Sequence, residues 1–330
     1  MRAALLRVDG TRPVQPAVRR FRFTGPQRRG LIWGIRLAAL SALALWALST
    51  PGFTSMLSIL ALLNAVSFIG CVAVGMTFIT LSGNIMSLSL GPTVSATACI
   101  FLASLGAGVI TAALIAILFG TAITVAQGAL VGSIRANPIL VSIAALALIL
   151  GMAEYLTGGQ RIYPAGEGYR VLRGSIAGIP EETLVFLLTV AAGQIVLSCT
   201  RLGRAMIMVG SNARAAEVAG IQTARVVTTA YALAGAFSAI SGILLAARYG
   251  SGDMELGAGY DYSAIAAVLV GGTNIAGGSG SVLRTLVGAT VIGVIEVVLL
   301  LRGFSEQWQY LVTGLIVLGV IMLHTLGERP

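Results

Sequence analysis

The sequence predicts an all-α, polytopic membrane protein of about ten transmembrane helices, with two interrupted segments and one short capped helix in a cytoplasmic loop. Three observations carry that prediction. Hydrophobic residues make up 57% of the 330-residue chain and charged residues 10%, where soluble domains carry about a quarter. Apolar runs of membrane-spanning length follow one another with short polar breaks. The basic side chains, 21 in number and all arginine, lie between those runs, so the net charge of +9 does not form the single stripe that nucleic acid would need.

Taken in order, residues 1–30 hold Arg2, Arg7, Arg12, Arg19, Arg20, Arg22, Arg28 and Arg29 against Asp9 alone. Pro13, Pro16 and Pro26 interrupt any helix there, so the stretch reads as a basic, disordered cytoplasmic tail. Residues 31–330 read as a single transmembrane domain. A cleaved signal peptide fits poorly, because the basic region is long and the run from Leu31 to Ser49 exceeds an h-region.

The apolar runs are 31–50, 56–81, 88–106, 108–131, 138–157, 183–200, 224–247, 262–278, 282–301 and 307–325. With the tail inside, this count puts Arg135, the arginines of 201–225, Arg284, Arg329 and both termini on the cytoplasmic side. Outside fall Arg161, Arg170, Arg173, Arg248 and Arg302, diluted by Glu167, Glu181, Glu182, Asp253, Glu255, Asp261 and Glu306. The arginine excess is therefore inside, as the positive-inside rule requires.

Two segments in different halves share one pattern, an apolar run broken by Gly, Ser and Asn and then resumed. They are VGMTFITLSGNIMSLSLGPTVS, 74–95, and VLVGGTNIAGGSGSVLRTLVGA, 268–289. Backbone freed by such breaks must be satisfied in protein or in a water-lined cavity, and interrupted segments at corresponding positions of two halves point to a transport pathway. The competing reading is close helix packing on small residues. Asn84, Ser87, Ser89, Gly271, Gly272 and Asn274 are the pathway candidates. Glu296, inside the ninth run, joins them either as a lining group or as a hydrogen-bonded structural acid.

The longest polar interruption in the second half is RLGRAMIMVGSNARAAEVAGIQ, 201–222. It contains a short amphipathic helix with Asn212 as N-cap and Gly220 as terminator. No catalytic constellation is present. GGTNIAGGSGS lacks the G-K-[ST] ending of a phosphate-binding loop, and GAGYDY, 257–262, lacks the third glycine of a dinucleotide fingerprint. Cys71, Cys99, Cys199 and His324 have no metal-ligand spacing, so neither a metal nor a cofactor is expected. Intramembrane charge is also scarce, which disfavours a proton- or sodium-driven carrier and places the energy source outside this chain.

These residues resemble the membrane permease subunits of monosaccharide (ribose-type) ABC importers over roughly residues 50–325. TRLGRAMIMVGSNARAAEVAGIQTARV is similar to that family's cytoplasmic T-x-x-G-R-x-x-x-A-x-G-x-N-x-x-A-A-x-x-x-G-I pattern through Gly203, Arg204, Gly210, Asn212, Ala215, Ala216, Gly220 and Ile221, with Met208 in place of an alanine. YDYSAIAAVLVGGTNIAGGSGSVLRTLVGA is similar to its L-x-A-I-A-A-V-x-x-G-G-T-x-x-x-G-G-x-G-S run, with Tyr262 at the leucine position. Gly75–Met76–Thr77 and Asn137–Pro138 are weaker matches. One departure stands out: where the family has G-G-I-D-L-S-V-G, this chain has Gly83 to Gly91 with no acid and one extra residue.

The resemblance implies a multi-pass protein of the bacterial inner membrane with no enzymatic activity of its own. It further implies a pathway between two permease copies, alike or related, a periplasmic substrate-binding protein, and a separate cytoplasmic ABC ATPase that touches Gly203, Arg204, Asn212, Ala215, Ala216 and Gly220. Loops 158–181 and 248–261 are expected to dock the loaded binding protein, the first having a solvated connector as its plainer reading. A permease for nucleosides or branched-chain amino acids would share the architecture. A secondary carrier would move solute without an ATPase, and a scaffold would move none.

Overall fold

The computed structural model describes residues 41–328 apart from Ile85 and Ala177, so the basic tail and the first part of run 31–50 lie outside the described residues. The compact unit considered below is Leu45–Pro330. Its helices are α1 (Met56–Leu81), α2 (Leu90–Ala103), α3 (Val109–Ser133), α4 (Pro138–Thr157), α5 (Glu181–Cys199), α6 (Arg201–Ser211), α7 (Ala213–Val218), α8 (Thr223–Tyr249), α9 (Tyr260–Val270), α10 (Val282–Leu301) and α11 (Glu306–Glu328). The strands described are the two-residue pair β1 (Ser175–Ile176) and β2 (Ile179–Pro180). An all-α polytopic membrane protein is therefore what the chain builds.

Six described helices, α1, α3, α4, α5, α8 and α10, are long and apolar enough to cross a membrane. Three predicted runs give shorter apolar helices: Leu90–Ala103, Tyr260–Val270 and Gln307–Met322. At 1.5 Å per residue, an 11-residue helix such as α9 covers roughly half of a bilayer core about 30 Å thick. Glycine sets that length, because the helix ends at Gly271 and Gly272 follows with φ +82°.

Local chemistry fixes several boundaries. Ser55 caps α1, its hydroxyl accepting from the Ser58 N–H at 3.2 Å. Asn137 caps α4 through the Ile139 N–H at 2.9 Å, with Pro138 at the first helical position. Gly158 and Gly250 end α4 and α8 in the left-handed conformation.

Helices α1 and α8 form the centre, 61% and 78% buried over their apolar windows, whereas α4 is 11% buried and lies at the periphery. Both central helices are apolar on every face, as elements surrounded by other helices are. Small residues let them approach: a Cβ on Gly75 would stand 2.9 Å from Ala234 Cα, and Phe78 stacks on Phe237 at 6.0 Å. The Ser241 hydroxyl donates to the Phe68 carbonyl at 2.9 Å, adding a polar tie between the same two helices.

Candidate functional site

Residues 200–222 fold into two helices rather than the one expected. Leu202, Met206 and Val209 repeat at helical spacing and turn inward, Met206 and Val209 being buried, while Arg201 and Arg204 stay exposed, so α6 forms ahead of the expected helix. Thr200 caps α6, its hydroxyl accepting from the Gly203 N–H at 3.2 Å. Gly203 lies against the end of α5, where a Cβ would sit 2.6 Å from Leu197 Cα.

Asn212 then closes one helix and opens the next. Its N–H donates to the Met208 carbonyl, and its side-chain oxygen accepts from the Ala215 N–H at 3.0 Å. Helix α7 ends at Val218, with Gly220 at φ +82° just past its Ala219 cap, and the Ile221 N–H returns to the Ala216 carbonyl at 3.0 Å. Ala216 is buried while Ala215 is exposed, so α7 faces both the core and the surroundings.

An ionic clasp holds this elbow to the neighbouring loop. Arg135, itself at φ +56°, pairs with Glu217 at 2.7 Å, and the Thr223 hydroxyl donates to the same carboxylate at 2.8 Å. The Thr223 hydrogen bond first, then the charges of Arg135 and Arg214, hold the Glu217 carboxyl below the usual carboxylate range.

The C-terminal end of α6 meets both glycine-broken stretches of the sequence. The Gly278 N–H donates to the Leu81 carbonyl at 3.1 Å, joining the end of α1 to the 271–281 stretch directly. A Cβ on Gly210 would fall 2.5 Å from the Gly278 nitrogen, and closer still to the Leu81 carbonyl. One on Gly277 would fall 2.5 Å from Gly83 Cα. Three backbones thus approach one another at Gly83, Gly210 and Gly277, with the Ser211 hydroxyl packed beside Gly278: the stretches after α1 and after α9, and the arm leading into α7.

The pathway candidates divide into four places. Asn84 and Asn274 flank the glycine meeting point; the Asn84 amide donates to the Ser82 hydroxyl at 2.9 Å, and Asn274 Oδ1 accepts from the Ala276 N–H at 2.9 Å. Gly271 and Gly272 start the second break, where a Cβ on Gly271 would lie 2.5 Å from the Arg284 carbonyl oxygen. Ser87 and Ser89 are fully buried and hydrogen-bonded to each other at 2.9 Å, with the Ser89 hydroxyl donating to Gln127 Oε1 at 2.7 Å. Gln127 is a participant that sequence reading passed over; its signal is a lone amide in the apolar run of α3. Glu296 stands apart, accepting from the Ser263 hydroxyl at 2.8 Å and lying about 22 Å along α10 from Ser281.

At the opposite end, the loops 158–181 and 248–261 are brought together. Ile162 and Gly252 exchange backbone hydrogen bonds at 2.8 and 2.9 Å, and Arg161 pairs with Asp253 at 2.9 Å.

Apolar helices packed on small residues, a capped elbow outside them, and a glycine meeting point that joins the two define a polytopic membrane permease. Residues 58–321 match the family described as branched-chain amino acid transport system / permease component, and the chain belongs to that family. It is 30% identical over 319 residues to the ribose import permease protein RbsC of Bacillus subtilis (strain 168), covering 95% of this chain and 98% of that one. The ribose import permease protein RbsC of Escherichia coli (strain K12) is 28% identical, covering 87% and 91%. The autoinducer 2 import system permease protein LsrD of Yersinia enterocolitica is 32% identical, covering 88% and 91%. No solved structure matches the chain.

Proposed function

We propose that this chain forms the translocation pathway of an ATP-driven importer for a monosaccharide. It works in the bacterial inner membrane as one of two permease copies, alike or related. A periplasmic binding protein delivers the solute at loops 158–181 and 248–261, and a cytoplasmic ABC ATPase drives release. Ten spans, the short ones at 88–106 and 262–278 among them, form one domain from residue 31 with both termini inside and two broken segments.

Gly203, Arg204, Asn212, Ala215, Ala216 and Gly220 form the ATPase-coupling elbow. Asn84, Ser87, Ser89, Gly271, Gly272, Asn274 and Glu296 line or control the pathway. The observation that carries this reading is the side-chain-free contact of Gly210 with both the Leu81 carbonyl and Gly278. Closing the ATPase pair moves α7, α6 transmits that motion as a rigid lever, and both breaks move because they touch its end. Backbones packed this closely leave no slack to absorb a displacement of α6.

The ribose and autoinducer 2 permeases among the relatives support a sugar or sugar-like solute. The test is uptake into vesicles holding the purified permease with its ATPase and binding protein. Monosaccharide uptake that requires ATP agrees. Equal flux in vesicles lacking the ATPase would make the chain a secondary carrier, and uptake of leucine in place of sugar would move it to the amino-acid branch.

A further inference from the structure

The end of the bundle away from the glycine meeting point holds a cavity of about 260 Å³, whose lining includes Met56, Leu60, Asn64, Arg173, Glu182 and Arg248. Such a volume lies just below the roughly 300–1,000 Å³ of sites for drug-sized ligands, so it suits one small solute. The wall is made by the first turns of α1, the start of α5, the hairpin beside it and the end of α8.

Two of its polar groups are buried in an unusual way. Glu182 is 1% exposed and Asn64 is 6% exposed, yet both Glu182 carboxylate oxygens and Asn64 Oδ1 have no hydrogen-bond donor among the described residues. The cation paired with Glu182, Arg248 Nη1, stands 3.9 Å from Oε1, within ion-pair range and beyond hydrogen-bond length. Buried acceptors left this way are costly unless something donates to them.

The charges around the cavity narrow what that donor is. A metal ion or organic cation would meet Arg173 and Arg248 in the same wall. An anion would meet the buried Glu182. A hydroxyl suits all of them, because it donates to the carboxylate and the amide oxygen and accepts from a guanidinium. We propose that this cavity is a binding site of the permease chain itself for one neutral polyhydroxy solute of monosaccharide size. It receives the solute at the outer face before the pathway opens. This rests on the sugar-importer reading and adds to it a residue-level site that sits in one chain rather than between two.

The experiment is equilibrium binding of radiolabelled D-ribose and D-galactose to the purified full-length chain in lipid nanodiscs, without ATPase or binding protein, and with L-leucine as comparison. The expected result is saturable binding of at least one sugar, weakened about tenfold by Glu182→Gln and by Asn64→Ala. Thermal denaturation separates ligand binding from a structural ion pair. Glu182→Gln removes a buried carboxylate that has no hydrogen-bond donor, and the half-exposed Arg248 it leaves can be solvated, so the midpoint of the sugar-free protein should rise. A lowered midpoint with unchanged sugar binding would make Glu182 only the partner of Arg248 and overturn the proposal. Absence of saturable binding of both sugars, while the assembled importer still takes up sugar with ATP, would overturn the site and leave the importer reading standing. Leucine binding in place of sugar would overturn both.

Discussion

Gly210 shows most clearly what one residue does here. A Cβ at that position meets the Gly278 nitrogen at 2.5 Å and the Leu81 carbonyl closer still, and both are backbone, so neither can swing away as a side-chain tip would. Gly210→Ala should therefore lower stability by about 1–3 kcal/mol, the usual range for overpacking, read as a lower midpoint of thermal denaturation of the purified chain. A wild-type midpoint would mean that the three backbones do not meet as described. Glu217 gives a second prediction at this scale. Its pKa is depressed by Thr223 and then by Arg135 and Arg214, so the stability it contributes is present above the ordinary carboxylate pKa and is lost as pH falls through the depressed value. The protection of the 134–137 amides, relative to the intrinsic exchange rate at each pH, should be present at neutral pH and fall on acidification. Glu217→Gln should show the reduced protection already at neutral pH, with no further loss in acid.

Among the elements, the contact between α1 and α10 shows how polar groups behave between membrane helices. The Thr77 and Thr285 hydroxyls bond each other at 2.7 Å, and each also lies within reach of a carbonyl of its own helix, Ala73 at 2.8 Å and Ser281 at 3.3 Å. Thr77→Val removes one hydroxyl and leaves Thr285 its bond to the Ser281 carbonyl, so it should cost only about 0.6 kcal/mol, the average for interhelical hydrogen bonds in a membrane. A loss above about 2 kcal/mol would show that the fallback bond does not form.

This scale also separates what the sequence made legible from what it did not. The helices Met56–Leu81, Pro138–Thr157 and Val282–Leu301 match their apolar runs residue for residue, because Ser55, Asn137–Pro138 and the glycine break before Val282 mark their starts. Asn212 and Gly220 were readable as caps for the same local reason. Helix α6 was hidden, since Arg201 and Arg204 mask an inward stripe whose burial depends on the ends of α1 and α5. Gln127, Glu182 and Asn64 were hidden more deeply. The Ser89 partner of Gln127 and the burial of all three come from residues distant in the chain, and no local pattern encodes that.

At the scale of the whole molecule, the proposed mechanism makes the permease a lever. In the proposed mechanism the densely packed central pair, α1 and α8, is the fixed frame, and the elbow at α6 and α7 passes motion to the ends of α1 and α9 through their close backbone contacts. Arg204 is exposed on that lever, and Ala216 is buried in α7, where a carboxylate would be buried without a partner. The most direct measurement is the ratio of sugar imported to ATP hydrolysed by the reconstituted complex, comparing wild type with Arg204→Ala and Ala216→Asp. Both variants should still copurify with the ATPase and hydrolyse ATP while importing at least about tenfold less sugar for each ATP. An unchanged ratio in both variants would contradict the coupling role of this elbow.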